Sequence, residues 1–154
     1  MTSRILFVCL GNICRSPAAE AVFAGYGSAV AVDSAGTGSW HVGDPPYGAM
    51  QVAAQQRGYE MAHLRARQFV AEDFDRFDLI IAMDSQNQAD IEALRPEGSG
   101  TAVRLMTSYA PELGVDAVPD PYYTRDFEGA LDIFEACATG LLREVQGASL
   151  GGSA

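Results

Sequence analysis

The chain has 154 residues, 48% hydrophobic and 19% charged, the proportions of one globular domain with a sizeable core. Its net charge of −10 repels nucleic acid and anionic membrane, so neither is expected as a partner, and any anion site must be a local positive pocket. Three cysteines, two of them in one short loop, make no disulfide framework and suit a reducing cytoplasm. No apolar stretch approaches the ~20 residues of a membrane-spanning helix, and the N-terminal residues lack the pattern of a secretory signal.

In chain order, the continuous apolar run Ile5–Val8 predicts a strand buried on both faces. A glycine-containing loop follows, then a helix with Pro17 in its first turn, reaching about Tyr26. Ala29–Val32 predicts a second strand, Ser34–Gly38 a turn, and Ala49–Arg57 a helix stopped by Gly58. Asp78–Met83 is the next strand, with Asp84 or Ser85 capping a helix to about Leu94. Ala102–Met106 is the fourth strand, and a loop rich in Pro and Asp (Tyr109–Arg125) leads to a long helix, Glu128–Gln146. Leu131, Phe134, Ala138, Leu141, Leu142 and Val145 fall on one face of it. Residues 1–146 therefore read as one domain, and 147–154 as a flexible C-terminal tail. Alternating strands and helices imply a parallel sheet covered on both faces, with ligands bound beyond the strands' carboxyl ends.

The loop after the first strand, Cys9-Leu-Gly-Asn-Ile-Cys-Arg15-Ser16-Pro17, brackets a glycine turn between a thiol and a guanidinium. Backbone N–H groups of such a loop converge on an anion, and a helix N-terminus adds its dipole. Gly11 and Asn12 best tolerate the left-handed backbone that this nest requires. Arg15 offers a planar fork to two phosphate oxygens, with Cys9 beneath the phosphorus. The amide dipoles and the guanidinium favour thiolate at Cys9, and Ser16 is the natural hydroxyl donor to the sulfur. Attack by sulfur gives a phosphocysteine that water must hydrolyse. The leaving oxygen then needs a proton, and Asp120, stiffened between Pro119 and Pro121, stands either as its donor or as an ordinary turn aspartate.

Taken together, Val8–Glu20, Asp33–Gly38, Trp40-His-Val-Gly43, Ala66-Arg-Gln68, Ala82-Met-Asp84 and Asp120-Pro-Tyr-Tyr123 resemble the low-molecular-weight protein tyrosine phosphatases. The blocks run in family order from residue 4 to about 146. The resemblance implies a flavodoxin-like three-layer α/β fold with a four-stranded parallel β-sheet flanked by helices on both faces. It implies hydrolysis of phosphotyrosine and small aryl phosphates through a phosphocysteine on Cys9. Arg15 would clamp phosphate, and Asp120 would be general acid and then base. Leu10, Gly11, Asn12, Ile13, Cys14 and Ser16 would surround the phosphate, with Asn12 and Ser34 bonded to each other to hold the loop's shape. Trp40, Tyr122 and Tyr123 would wall an aromatic ester, and Cys14 would either pair reversibly with Cys9 or fill space. Cys137 reads as core, and His41 and His63 as structural hydrogen-bonders. No metal or other cofactor is expected. Partners would be phosphotyrosine-bearing proteins, with phosphate and vanadate as inhibitors, in the cytoplasm.

Two stretches depart from the family pattern. Where the family often has Pro-x-Asp-x-Arg-Ala, this chain has Pro45-Pro-Tyr-Gly-Ala49, and where Gly often follows the tyrosine pair it has Thr124. Three other readings compete. An arsenate reductase of the same fold relays oxidation through further cysteines, yet Asp84–Arg95 holds none and only Cys137 remains. A non-catalytic phosphotyrosine- or phosphate-binding module would not need Cys9 and Asp120 together. A phosphocysteine carrier of a sugar-transport system would have no use for a dedicated acid.

Overall fold

β1 (Arg4–Cys9) is the strand to which the rest of the chain is fitted. In the computed structural model, which describes residues 3–27 and 29–153, with side chains of the last helix described to Gln146, every residue of β1 after Arg4 is buried. Its side chains alternate between two cores. Ile5, Phe7 and Cys9 face one, and Leu6 and Val8 the other, which is why the sequence shows an unbroken apolar run.

Parallel strands flank β1 on both sides: β2 (Ala31–Gly36) on one, β3 (Leu79–Ala82) and then β4 (Ala102–Leu105) on the other, in the order β2-β1-β3-β4. Helices α1 (Arg15–Gly25), α2 (Gly48–Gln56) and α6 (Phe127–Ser153) supply the first core, where Phe23, Met50, Phe134 and Leu141 meet Phe7 and Ile81. The short helix α3 (Asp73–Arg76) and α4 (Ser85–Glu92) cover the other face, through Phe74 and Ile91. Each such large side chain contributes about 1.5–3 kcal/mol by leaving water. α1 is buried along Arg15–Phe23, and its Ala18, Ala19 and Ala21 allow close approach on more than one side.

β2 differs most from the sequence expectation. It starts at Ala31 rather than Ala29 and runs through the predicted Ser34–Gly38 turn to Gly36, because it pairs residue for residue with all of β1, Arg4 with Ala31 through Cys9 with Gly36. Gly36 is there for proximity: a Cβ on it would lie 2.8 Å from Leu10 O and 3.1 Å from Asn12 Cβ. β3 and β4 are shorter than predicted. Asp78 precedes β3 and accepts hydrogen bonds from Ser3 N and Arg4 N, while Met106 begins a 3₁₀ turn. α6 begins at Phe127 and its backbone continues past Gln146 to Ser153. The flexible tail expected at 147–154 falls on side chains, and at Ala154 on backbone, outside the described residues. Among the described residues no helix is long and apolar enough to cross a membrane.

Candidate active site

The strand order reverses direction beside β1, so the loops that leave β1 and β3 sit side by side at their carboxyl ends. The first carries Cys9 to Ser16, the second Met83 and Asp84. Arg15 spans the two: its Nη1 donates to Asp84 Oδ2 at 2.8 Å and to Val118 O at 3.0 Å. Its Nη2 lies 3.6 Å from Asp120 Oδ2, and its side chain is 4% exposed. Burial works against the guanidinium charge, but Cys9, Asp84 and Asp120 outweigh it and hold the Arg15 pKa above its ordinary value. Arg15 Nε is buried with no hydrogen-bond partner among the described residues. Asp84 serves twice, since its Oδ1 accepts from Asn87 N and caps α4 while Oδ2 anchors Arg15.

The loop is shaped from behind by Asn12, whose φ of 57° is left-handed. Its side chain makes three hydrogen bonds. Nδ2 donates to Ser16 Oγ (2.8 Å) and Ser34 Oγ (3.0 Å), and Oδ1 accepts from Arg67 N (2.9 Å). Its backbone N–H points at Cys9 Sγ, 3.3 Å away, and Ser16 Oγ is 3.1 Å from the same sulfur. Gly11 is not among the left-handed residues; it serves instead by leaving room, because a Cβ on it would lie 3.2 Å from His41 Cδ2. Cys14 stands at the N-cap of α1 without a capping side-chain bond, so its own side chain satisfies none of the helix's first N–H groups. Burial, with Asp120 and Cys9 adding to it, pushes the Cys14 thiol up to about 12 and keeps it protonated at neutral pH.

Cys9, Leu10, Gly11, Ile13, Cys14, Arg15, Trp40, His41, Asp120, Tyr122 and Tyr123 line one cleft of about 360 Å³. Asn12, Ser16 and Ser34 lie behind it and shape it. Trp40 and Tyr123 are 72% and 73% exposed, so they stand at the rim rather than in the core. Trp40 lies over Gly38, where a Cβ would come within 1.8 Å of its ring. His41, expected only to make structural hydrogen bonds, lines the cleft and also pairs with Asp44 Oδ2 at 3.1 Å. Cys137 is fully buried in the first core, where burial pushes its thiol up to about 12. Among the described residues no group of three or more potential metal ligands occurs.

Sequence reasoning did not single out Glu20 or Arg67. Glu20 Oε1 accepts from Ser34 Oγ at 2.7 Å, extending the chain of bonds behind the loop. Arg67 holds its N–H on Asn12 while its guanidinium bridges Asp33 and the fully buried Asp73. Both lie in the matched blocks, but their role depends on which strands are neighbours. Burial, reinforced by Asp33 and opposed by Ser34 and Arg67, raises Glu20 from its ordinary 4.5 to about 7. A carboxyl raised on folding stabilises the fold below its unfolded value, and that contribution is lost as pH rises through the folded one. Urea midpoints of the wild type should therefore fall between pH 4.5 and about 7 relative to those of Glu20→Gln. The difference should be on the order of 3 kcal/mol. Parallel pH curves for the two proteins would contradict it.

Residues 4–149 match the family model described as low molecular weight phosphotyrosine protein phosphatase. The chain is 46% identical over 157 residues to a low molecular weight protein-tyrosine-phosphatase of Streptomyces coelicolor, covering 95% of each chain. It superposes on the crystal structure of YfkJ from Bacillus subtilis with a TM-score of 0.88 at 36% identity, covering 96% of this chain and 97% of that one. It also superposes on a Drosophila arginine phosphatase with a TM-score of 0.85 at 31% identity, covering 94% and 98%.

Proposed function

The chain belongs to the low molecular weight phosphotyrosine protein phosphatase family and is a phosphoric monoester hydrolase of that type, and on this premise we propose that Cys9, Arg15 and Asp120 carry the reaction. The carrying observation is Arg15. It is a fully charged guanidinium, buried and braced by Asp84 and Val118, whose Nε has no partner among the described residues and whose Nη2 faces Asp120. Nε and Nη2 form one edge of the fork, the edge that takes two oxygens of a phosphate side-on.

In the first step the Cys9 sulfur attacks phosphorus in line with the ester oxygen. The P–O bond breaks as Asp120 passes its proton to the departing phenol, and a phosphocysteine remains. In the second step Asp120 takes a proton from water, the water oxygen attacks phosphorus, and the S–P bond breaks to release phosphate. The Asn12 N–H and the Ser16 hydroxyl stabilise the sulfur both as nucleophile and as leaving group. Arg15 and the uncapped N–H groups of α1 hold the equatorial oxygens throughout. Phosphate and vanadate compete for the same nest.

Leu10, Ile13, Trp40, Tyr122 and Tyr123 make the walls apolar and aromatic, which fits an aryl ester better than a serine or arginine phosphate. Comparing kcat/KM for peptides bearing phosphotyrosine, phosphoserine or phosphoarginine tests this. Phosphotyrosine should lead by at least ~10²-fold. Equal turnover of phosphoarginine would contradict selection by the aromatic walls. Steady multiple turnover is expected, which a binding module or a phosphate carrier would not give.

A further inference from the structure

Tyr47 occupies the residue before α2 but caps nothing with its side chain. Its backbone N–H donates to Ile13 O at 2.7 Å, inside the phosphate loop, and its own carbonyl accepts from Gln51 N. The ring is bound to a different part of the chain. It meets Tyr122 edge-on, with centroids 5.3 Å apart, and stacks on Phe127 at 5.9 Å. Its hydroxyl accepts a hydrogen bond from Arg125 Nη1, and Arg125 Cζ lies 5.6 Å from the centroid of the same ring.

Tyr122 and Arg125 belong to the short helix α5 (Pro121–Thr124) and its C-cap, and Asp120 is the N-cap. Tyr122 N donates to Asp120 Oδ1 at 3.1 Å, Thr124 N to Asp120 O at 3.1 Å, and Arg125 N to Pro121 O at 2.9 Å. The helix and Asp120 thus form one short hydrogen-bonded piece. Arg125 has a φ of 64°, a left-handed conformation disfavoured for arginine, and its side chain is engaged on Tyr47. Tyr47 lies in the Pro45–Ala49 stretch and Arg125 follows Thr124, the two places where this chain departs from the family pattern.

We propose that Tyr47 is a positioning residue for Asp120. Gripped by Tyr122 and Arg125 on one side and bonded through its backbone to Ile13 on the other, it fixes the span between proton donor and phosphate nest. The inference rests on Asp120 being the donor, so Asp120→Asn is measured beside the Tyr47 variants. The contacts of Tyr47 with Tyr122 and Arg125 are made by its side chain and its hydrogen bond to Ile13 by its backbone, so side-chain substitutions should loosen the donor while leaving that bond to the nest in place.

The test is kcat/KM across aryl phosphates from dinitrophenyl to phenyl, with vanadate inhibition measured on each variant. Tyr47→Phe should lose about 5- to 10-fold and Tyr47→Leu about 30- to 100-fold on phenyl phosphate, with changes within about twofold on dinitrophenyl phosphate. Vanadate should inhibit every Tyr47 variant within about twofold of wild type, which also reports an intact nest. Arg125→Met should resemble Tyr47→Phe, Arg125→Lys should restore part of the loss, and the Tyr47→Phe/Arg125→Met pair should be less than additive. Equal losses on all leaving groups, weakened vanadate binding or full additivity would overturn the inference while leaving Asp120's role intact. An unselective Asp120→Asn would overturn both.

Discussion

Cys9→Ser should lose hydrolysis of aryl phosphates by at least ~10⁴-fold while still binding vanadate or phosphate. Among the described residues the sulfur's polar contacts are the Asn12 N–H and the Ser16 hydroxyl, and both are held independently of it. Arg15 is likewise braced by Asp84 and Val118. The anion nest therefore survives the substitution, and what disappears is the attacking atom, since an alcohol is a far weaker nucleophile at neutral pH. Cys14→Ser is the contrasting control. Its thiol, pushed up to about 12 mainly by burial, is not the attacking group, so that variant should keep most of its turnover. Residual turnover in Cys9→Ser comparable to wild type would reassign the nucleophile.

Asp120→Asn should cost about 10²- to 10³-fold in kcat/KM on phenyl phosphate and about tenfold or less on dinitrophenyl phosphate. A good leaving group departs without a proton, so the penalty scales with the basicity of the phenol. Asparagine is as good an N-cap as aspartate, and its amide oxygen can accept from Tyr122 N as Oδ1 does now, so α5 should keep its form. The second step suffers too, because no carboxylate remains to take a proton from water. Phosphocysteine should accumulate in this variant when the substrate is dinitrophenyl phosphate. A uniform loss across leaving groups would show that Asp120 acts on structure rather than on the proton.

The parts of the site that were legible in the sequence are those that lie close together along the chain. Cys9, Asn12, Arg15 and Ser16 run from the last residue of β1 through one loop into the first turn of α1, so their spacing makes them neighbours, although the left-handed backbone expected of both Gly11 and Asn12 is found at Asn12 and not at Gly11. The parts that were not legible depend on which strands became neighbours. Asp84 reads from sequence as a helix cap, which it is; that it also anchors Arg15 follows only from β3 lying beside β1. Glu20 and Arg67 enter through β2 and the segment beyond it, and β2 extends to Gly36 despite the turn composition of Ser34-Ala-Gly-Thr-Gly38. There the partner strand's length overrode local propensity. Tyr47 gave no signal beyond its departure from the family pattern, since its ring's partners lie more than seventy residues away.

The covalent intermediate is the claim on which the rest stands. Rapid quenching of the enzyme during turnover of dinitrophenyl phosphate, followed by mass analysis of its peptides, reads it directly. The account predicts one phosphoryl group on the peptide containing Cys9, present in wild type, enriched in Asp120→Asn and absent in Cys9→Ser. Turnover with no phosphoryl group on Cys9, or with the group on another side chain, would contradict it.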